Sequence, residues 1–463
     1  MMRWLYSCVV WLVQPLLRAK LRRRAVAEPG YGEAMDERFG YYTQPAEPAG
    51  QPGAAGAMGA SRFIWVHAVS LGEARAATVL VAQLRLHYPG MRLLLTHGTA
   101  TGRAQGKALL RSGDVQVWQP WDTVGAVTRF VRHFQPRMGL LIETEVWPNM
   151  VATCKQLQVP LCLVNARLSD KSLRQALRLG VLSRPAFAGL HAVWAQTPDD
   201  AARLQHLGAR VQGSLGNFKF DATPDVAQLA QGAQWRGAQA KPVVMFASSR
   251  EGEERMLIDA VHATFQTGVR VETAVTLQPN FESNRPIDPV QSAQAAIKNI
   301  ASDVQWLIVP RHPQRFDEVA SLFAEAGFSV SRRSTWGDSP ATADVWVGDS
   351  LGEMALYFGL ADVALLGGSF APLGGQNLIE AAACGCPVVM GPHTFNFTQA
   401  AELSVAGGAA FEVPDISAAV DQARALVQSG AELAHARAAA LVLNQAHRGA
   451  AERTAMAIHQ LLG

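Results

Sequence analysis

Short apolar runs alternate with helical stretches along most of this 463-residue chain, and this alternation limits the possible folds more than any other feature. Each run is apolar over nearly its whole length, as in FIWVHAV from Phe63 and MGLLIE from Met138. Strands with this composition are typical of parallel sheets that helices cover on both faces. The strand candidates of this first series begin at Phe63, Arg92, Val115, Met138, Pro160 and Leu190. The sequence therefore predicts an α/β fold.

A second series of the same kind follows residues 217–239, a mixed and polar stretch that we interpret as an interdomain connection. Its strand candidates begin after Pro242 and at Trp306, Phe328, Asp362 and Pro387. The two series predict two doubly wound, Rossmann-like domains. Because ligands bind at the carboxyl ends of parallel strands, we expect a site in an interdomain cleft. The Ala-rich final helix, which begins near Ala431, could cross back to the first domain.

Two stretches contain neither the short apolar runs nor the helical stretches of the two series. Residues 44–60 are mostly Pro, Gly and Ala and predict a linker, whereas residues 268–302 are polar and predict a surface insertion. We therefore expect three parts: a membrane-associated segment at 1–27, a first domain at 28–227 and a second domain at 228–463.

Residues 1–27 carry six basic side chains and no acidic one, although the formal net charge of the whole chain is only +3. The mostly apolar stretch from Trp4 to Leu17 precedes the basic run from Arg18 to Arg24. It is shorter than the ~20 residues that span a bilayer, and its charge lies on the wrong side for a signal peptide. A buried amino-terminal helix is the alternative. The basic run favours a segment at a membrane interface, with Trp4, Tyr6 and Trp11 at headgroup depth and the arginines on lipid phosphates. Positive charge confined to one segment also argues against a nucleic-acid partner.

The five cysteines have neither zinc-site nor disulfide-framework spacing, so we interpret them as reduced thiols of a cytoplasmic protein. The sequence contains no D-x-D motif and no cluster of His, Asp and Glu with metal-ligand spacing. We therefore expect chemistry without a metal or a cofactor, in which arginine, lysine and helix starts stabilise negative charge.

A glycine-rich turn follows the strand candidate at Asp362 and contains two glycine pairs, at 367–368 and 374–375. The helix that follows opens with residues 377–380, where free backbone N–H groups favour a phosphate and Glu380 can accept bonds from ribose hydroxyls. The pattern matches neither the dinucleotide-binding fingerprint nor the P-loop. A tight strand-to-helix turn capped by Asn377 explains it equally well.

Three other strand ends of the second series carry polar or charged groups. Arg311 follows Pro310, where a guanidinium suits a phosphate, and Ser248 ends the preceding strand. Leu351, Gly352 and Glu353 lie at a further strand-to-helix turn that can present backbone groups to a base or ribose. Together these turns predict a nucleotide site in the second domain.

In the first domain, Glu73 lies at the first strand-to-helix turn, and Glu143 and Glu145 flank the fourth. Glu37, in the motif DERFG, lies shortly after the amino-terminal segment. From its neighbours alone, the simplest interpretation of Glu37 is a solvated carboxylate paired with a nearby arginine.

Ten ordered blocks resemble the bacterial 3-deoxy-D-manno-octulosonic acid (Kdo) transferases of lipopolysaccharide synthesis over nearly the whole chain. They are DERFG, HAVSLGEARAA, ETEVWPN, NARLSDKS, GNFKFD, ASSREGEE, VPRHPQRF, VGDSLGEM, GGSFAPLGGQNLIEAAA and MGPHTFNF. The resemblance implies a GT-B fold at the cytoplasmic face of the inner membrane, with an acceptor domain first and a CMP-Kdo-binding domain second.

The resemblance also implies roles for single residues. Glu37 matches the family's catalytic base, and Lys219 matches a family lysine suited to a phosphate or to the sugar carboxylate. The implied CMP contacts are Pro310, Arg311, Leu351, Gly352, Glu353, Asn377, Leu378, Ile379 and Glu380.

The implied reaction is the inverting transfer of Kdo from CMP-Kdo to a hydroxyl of a lipid A precursor, lipid IVA. Two alternatives remain open. One is another GT-B nucleotide-sugar enzyme, either a UDP-sugar transferase or an epimerase. The other is a non-catalytic membrane-associated binding protein.

Overall fold

A computed structural model describes residues 2–45, 63–263 and 303–462. The chain divides into two compact units, one formed by Met1–Asp221 with His447–Gly463 and the other by Ala222–Ala446. The first boundary thus lies a few residues before the expected one at 227/228, and the carboxyl-terminal residues belong to the first unit. Residues 46–60 of the predicted linker and the whole predicted insertion at 268–302 lie outside the described residues.

The first unit contains a parallel sheet. Its strands are β1 (Phe63–His67), β2 (Arg92–His97), β3 (Val115–Trp118), β4 (Met138–Ile142), β5 (Leu161–Ala166), β6 (Ala192–Ala195) and β7 (Val211–Ser214). They pair in the order β3-β2-β1-β4-β5-β6-β7. The order reverses between β1 and β4, and such a switch point leaves a crevice at the carboxyl ends of the strands.

The second unit contains a parallel sheet of the same kind. Its strands are β8 (Val243–Ser249), β9 (Gln305–Pro310), β10 (Val330–Arg332), β11 (Val345–Val347), β12 (Val363–Leu366), β13 (Val388–Met390) and β14 (Ala410–Glu412). They pair in the order β10-β11-β9-β8-β12-β13-β14, so that the switch point lies between β8 and β12. The predicted strands are all present, whereas β7, β11 and β14 were not predicted.

Helices cover the sheets on both faces. Those up to Asp221 are α1 (Met2–Ala27), α2 (Leu71–His87), α3 (Ala100–Gly106), α4 (Val124–Phe134), α5 (Pro148–Gln156), α6 (Asp170–Arg178), α7 (Gly180–Ala188) and α8 (Pro198–His206). The later ones are α9 (Val226–Gly237), α10 (253–263), α11 (Phe316–Glu325), α12 (Met354–Leu360), α13 (Leu378–Ala383), α14 (Thr398–Ala406), α15 (Ile416–Gln428), α16 (Gly430–His447) and α17 (Ala450–Leu462).

Successive residues of β1 point to opposite faces of the sheet, because Trp65 packs into one apolar core and Val66 into another. The first core includes Phe130 of α4, and the second includes Leu80 of α2 and Ile458 of α17. Strands that are buried on both faces explain why the apolar runs are continuous.

The end of the chain returns to the first unit. Instead of one long helix from about Ala431, the structure has α16 and α17 with a break at Gly449, whose φ is +87°. Asp221 accepts the backbone N–H groups of Gly449, Ala450 and Ala451 at this break. Helix α17 therefore starts on a carboxylate that lies more than two hundred residues earlier in the chain.

Helix α1 is continuous through Pro15, and one side of it packs against the first unit. The Tyr6 hydroxyl donates to Asp122 at 2.9 Å, so Tyr6 is not at the expected membrane-facing position. Ser7 donates to Asn149 at 2.9 Å. Among the residues that the structure describes, no helix is long and apolar enough to cross a membrane.

Candidate active site

Glu37 lies in a short 3-10 helix, Met35–Phe39, and its side chain is only 4% exposed. Its Oε2 accepts the backbone N–H of Trp118 at 2.7 Å and the Arg103 guanidinium at 3.2 Å. Its Oε1 accepts the Gln44 amide at 2.6 Å. The interpretation of Glu37 as a solvated carboxylate beside a neighbouring arginine is therefore wrong. The carboxylate is buried, and its partners Arg103 and Trp118 are distant in sequence.

Trp118, at the end of β3, contacts Glu37 and two residues near it, Glu33 and Arg38. Its backbone N–H binds Glu37, and its indole N–H donates to the carbonyl of Glu33 at 2.7 Å. The buried Arg38 guanidinium lies 4.0 Å from the centroid of the same indole ring and donates to the Gly98 carbonyl at 3.0 Å. Burial lowers the pKa of Arg38 to about 10.

Three carboxylates of the first unit follow β1 and β4, the strands on either side of the switch point. Glu73 accepts the backbone N–H of Val69 at 2.7 Å, and the Trp147 indole donates to Glu145 at 2.8 Å. Burial raises the pKa of Glu73 to about 7, and the charges of Glu143 and Glu145 act in the same direction. Burial also raises the pKa of Glu145.

Lys219 lies in a 3-10 helix, Phe218–Asp221, and interacts electrostatically with this acidic group. Burial lowers its pKa, while the Glu143 carboxylate opposes that change. Arg167, which sequence reasoning missed, lies 4.0 Å from Glu143. The structure thus places Lys219 in the first unit, whereas the other predicted nucleotide contacts lie in the second.

The predicted turns of the second unit follow four adjacent strands. Residues 351–353 follow β11, Pro310 and Arg311 come at the end of β9, Ser248 is near the end of β8, and the glycine-rich turn follows β12. Because parallel strands have their carboxyl ends at one edge of the sheet, the fold brings these turns to the same edge. This edge includes the switch point.

At the switch point, Gly367 lies against the bulge at Ser248. A Cβ on Gly367 would lie 2.1 Å from the Ser248 carbonyl oxygen, so only glycine fits there. Ser248 has a φ of +57°, which is a strained conformation for serine. The two strands therefore approach each other closely through backbone atoms alone.

Glu253, at the start of α10, fixes the glycine-rich turn, and sequence reasoning missed it. Its fully buried carboxylate accepts backbone N–H groups from Gly368 at 2.7 Å and from Phe370 at 3.2 Å. It also accepts the N–H of Arg250 at 3.0 Å. Burial raises its pKa. The only sequence signal was an acid in SSREGEE, directly after a strand.

Arg311 and the turn before α13 are joined by a direct contact. Its Nε donates to the Gln376 side-chain oxygen at 3.1 Å. Asn377 accepts the backbone N–H of Ile379 at 3.2 Å, so Asn377 does cap this six-residue helix. The side chains of Leu378 and Ile379 are buried, and these residues can therefore reach a ligand only through their backbone.

The turn at 351–353 is held from two sides. The Gly352 carbonyl accepts the Gln228 amide of α9 at 3.1 Å, and Glu353 pairs with Arg333 at 2.9 Å. Leu351 is exposed. Sequence reasoning missed Arg333, which also lies 5.3 Å from the ring centroid of Trp235.

Comparisons with known proteins place this chain in a family. The family model described as 3-Deoxy-D-manno-octulosonic-acid transferase (kdotransferase) matches residues 33–222. A 3-deoxy-D-manno-octulosonic acid transferase of Bordetella pertussis is 42% identical over 468 residues, covering 100% of both chains. The chain belongs to the Kdo transferase family. A transferase of the same name from Haemophilus influenzae is 28% identical and covers 91% of this chain and 90% of its own. The predicted family is confirmed, and membership makes the chain a glycosyltransferase.

Solved structures with the same fold are more distant in sequence. A glycosyltransferase from Rickettsia africae is 12% identical with a TM-score of 0.53, and the match covers 87% of this chain and 98% of that chain. A UDP-GlcNAc 2-epimerase from Neisseria meningitidis is 14% identical with a TM-score of 0.53, covering 86% and 99%. These similarities confirm the predicted GT-B fold.

Within residues 2–45, 63–263 and 303–462, no group of three or more His, Cys, Asp and Glu side chains is placed to hold a metal ion. Metal independence remains a prediction from the sequence.

Proposed function

We propose that this chain transfers Kdo from CMP-Kdo to a hydroxyl of a lipid A precursor, with inversion at the anomeric carbon. The observation that carries the proposal is the 42% identity to the Bordetella pertussis transferase over the full length of both chains. In this proposal the first unit binds the acceptor, and the second binds CMP-Kdo.

On the donor side, CMP leaves as a phosphate monoester anion, which needs positive groups positioned before the bond breaks. Arg311 supplies a guanidinium, and its bond to Gln376 orients it. Residues 377–379 can contribute backbone N–H groups, although the Asn377 cap already occupies the one on Ile379. Glu380 and the turn at 351–353 are the proposed contacts of the ribose and base. Lys219 is the proposed partner of the sugar carboxylate or the phosphate.

On the acceptor side, an inverting displacement needs one base opposite the leaving group, and we assign it to Glu37. Its burial sets a condition on this role. Trp118 and Arg103 hold Oε2, whereas Oε1 has Gln44 as its partner. The acceptor hydroxyl would therefore replace the Gln44 amide at Oε1 and pass its proton to that oxygen.

Helix α1 is the proposed contact with the cytoplasmic leaflet of the inner membrane. Its exposed side carries large apolar side chains, among them Trp4 at 70% and Trp11 at 65% exposure. Lys20, Arg22 and Arg23 are exposed about three turns after Trp11. Apolar groups beside exposed basic groups suit an anionic lipid surface.

The test is transfer by the purified full-length protein, with CMP-Kdo and lipid IVA in detergent micelles and mass spectrometry of the product. We expect a Kdo adduct that forms equally well in EDTA, and at least a 100-fold lower rate for Glu37→Gln. Titration calorimetry should find tighter binding of CMP than of UDP. Tighter UDP binding with no Kdo adduct would indicate another GT-B enzyme, and CMP-Kdo binding without turnover would indicate a binding protein.

A further inference from the structure

We propose that Arg18 is a positioning residue for Glu37 and does not contribute to the lipid-binding charge of α1. The inference rests on the proposed function, in which Glu37 is the base. It divides the basic run of α1 into two sets with different tasks. The guanidinium groups of Arg18 and Arg24 lie over aromatic rings of the first unit, although their side chains are 39% and 48% exposed. Lys20, Arg22 and Arg23 are exposed.

Arg18 contacts the residues on both sides of Glu37. Its guanidinium carbon lies 3.6 Å from the ring centroid of Phe39, and its Nη1 lies 3.1 Å from the Asp36 carboxylate. Phe39 is buried, so its ring cannot move without disturbing the surrounding core. One side chain of α1 thereby contacts the chain before and after the base, through a buried ring at Phe39 and a carboxylate that is 71% exposed at Asp36.

The segment depends on such side-chain contacts because its backbone leaves the helical conformation at both ends. Ala34 has a φ of +45° and Gly40 a φ of +84°. A five-residue 3-10 helix bounded in this way does not continue into a longer helix that could hold it in place. Contacts with other elements therefore hold it, among them the Trp118 amide on Glu37 and the Arg129 guanidinium on the Phe39 carbonyl. Arg18 adds the contact from α1.

Arg24 provides a second connection from α1 to the same place. Its guanidinium carbon lies 4.0 Å from the ring centroid of Tyr31, and that ring stacks on Trp118 at 6.0 Å. Helix α1 therefore contacts the residues around Glu37 through two arginine–aromatic pairs, Arg18 with Phe39 and Arg24 with Tyr31.

A base that accepts the proton of an attacking hydroxyl must be held at the right distance from that hydroxyl. A displacement of about 1 Å can lower the rate about 10²-fold. Removing the Arg18 guanidinium would release the Asp36 carboxylate and uncover one face of the Phe39 ring. We expect Arg18→Ala to lower kcat by about 10- to 100-fold and to leave KM for CMP-Kdo and lipid IVA nearly unchanged.

The experiment compares wild type, Arg18→Ala, Arg18→Lys and Arg92→Ala in the micelle assay. Arg92 is a matched control, because its guanidinium carbon lies 4.0 Å from the ring centroid of Phe63, at the start of β1. Arg92→Ala removes a similar contact and should keep the wild-type kcat. Arg18→Lys keeps a cation but not the planar guanidinium, so it should recover part of the lost rate.

Binding to vesicles of phosphatidylglycerol and phosphatidylcholine completes the test, and it should be the same for Arg18→Ala as for wild type. A wild-type kcat in Arg18→Ala, or lost vesicle binding at unchanged kcat, would overturn the inference. An inactive wild type would overturn the proposed function instead. If Arg18→Ala does not fold, Asp36→Ala removes one of the two contacts and gives the same comparison of kcat with KM.

Discussion

At the scale of the residue, the surroundings of Glu73 favour its neutral form. Burial raises its pKa to about 7, from about 4.3 in an unfolded chain. Between these values the folded state binds more protons than the unfolded state, so this residue makes stability fall as the pH rises through that window. We expect the melting temperature of Glu73→Gln to fall less than that of wild type between pH 5 and pH 8, as measured by thermal denaturation.

The matched control for this prediction is Glu325→Gln, because Glu325 is an exposed glutamate at the end of α11. Its melting temperature should fall in parallel with that of wild type. Equal falls for wild type and Glu73→Gln would mean that the Glu73 proton does not contribute to folding stability in this range.

Single residues show most clearly what the sequence could predict. Glu37 was found through a family resemblance, since its neighbours in sequence suggested only a solvated carboxylate. Its burial depends on Arg103 and Trp118, and nothing in a linear pattern joins residues so far apart. Glu253 was missed for a similar reason, because its backbone partners at Gly368 and Phe370 lie beyond a hundred residues of intervening chain.

At the scale of the element, most of the predicted strands are buried on both faces of the sheets, whereas the predicted β10 is an edge strand that is only partly buried. β7 and β14 lie at sheet edges and are only partly buried, so VQGS and AFE lack a continuous apolar run. β11 is fully buried and has three residues, as β13 does, so neither its length nor its burial explains why only β13 was predicted. Three of the four turns of the second unit were predictable because they follow the predicted strands β8, β9 and β12.

Helix α1 is the element whose role the sequence could predict only in part. Its composition indicated a membrane interface, but not which arginines face the protein. We expect Trp11→Asp with Leu12→Asp to lower sedimentation with vesicles of phosphatidylglycerol and phosphatidylcholine by tenfold or more, because each large apolar side chain contributes about 1.5–3 kcal/mol when fully buried. Both residues are 65% exposed and keep no part of the core in place.

Leu86→Asp is the control for that experiment, since Leu86 is 72% exposed on α2. It adds the same kind of charge elsewhere on the first unit and should sediment like wild type. Unchanged sedimentation of the α1 variant would show that another surface binds the membrane.

At the scale of the whole molecule, the first unit is built from both ends of the chain. The apolar side of α17 packs with α2 and β1, so the last residues complete the core on one face of the sheet that begins at Phe63. The sequence left this return open, because an Ala-rich amphipathic helix packs equally well on either unit. The Asp221 carboxylate connects the first turn of α17 to the first unit by accepting three backbone N–H groups.

Two aspartates near the boundary allow this connection to be tested. Asp221 caps α17 from a distant part of the chain, whereas Asp225 caps α9 locally by accepting the N–H of Gln228 at 3.0 Å. Loss of either cap should cost about 1 kcal/mol, but only Asp221→Ala should loosen the attachment of the chain terminus. Hydrogen exchange should therefore become faster over 450–462 and over β1 in Asp221→Ala, and only over α9 in Asp225→Ala. Equal protection of α17 in both variants would mean that apolar packing alone holds the terminus in the first unit.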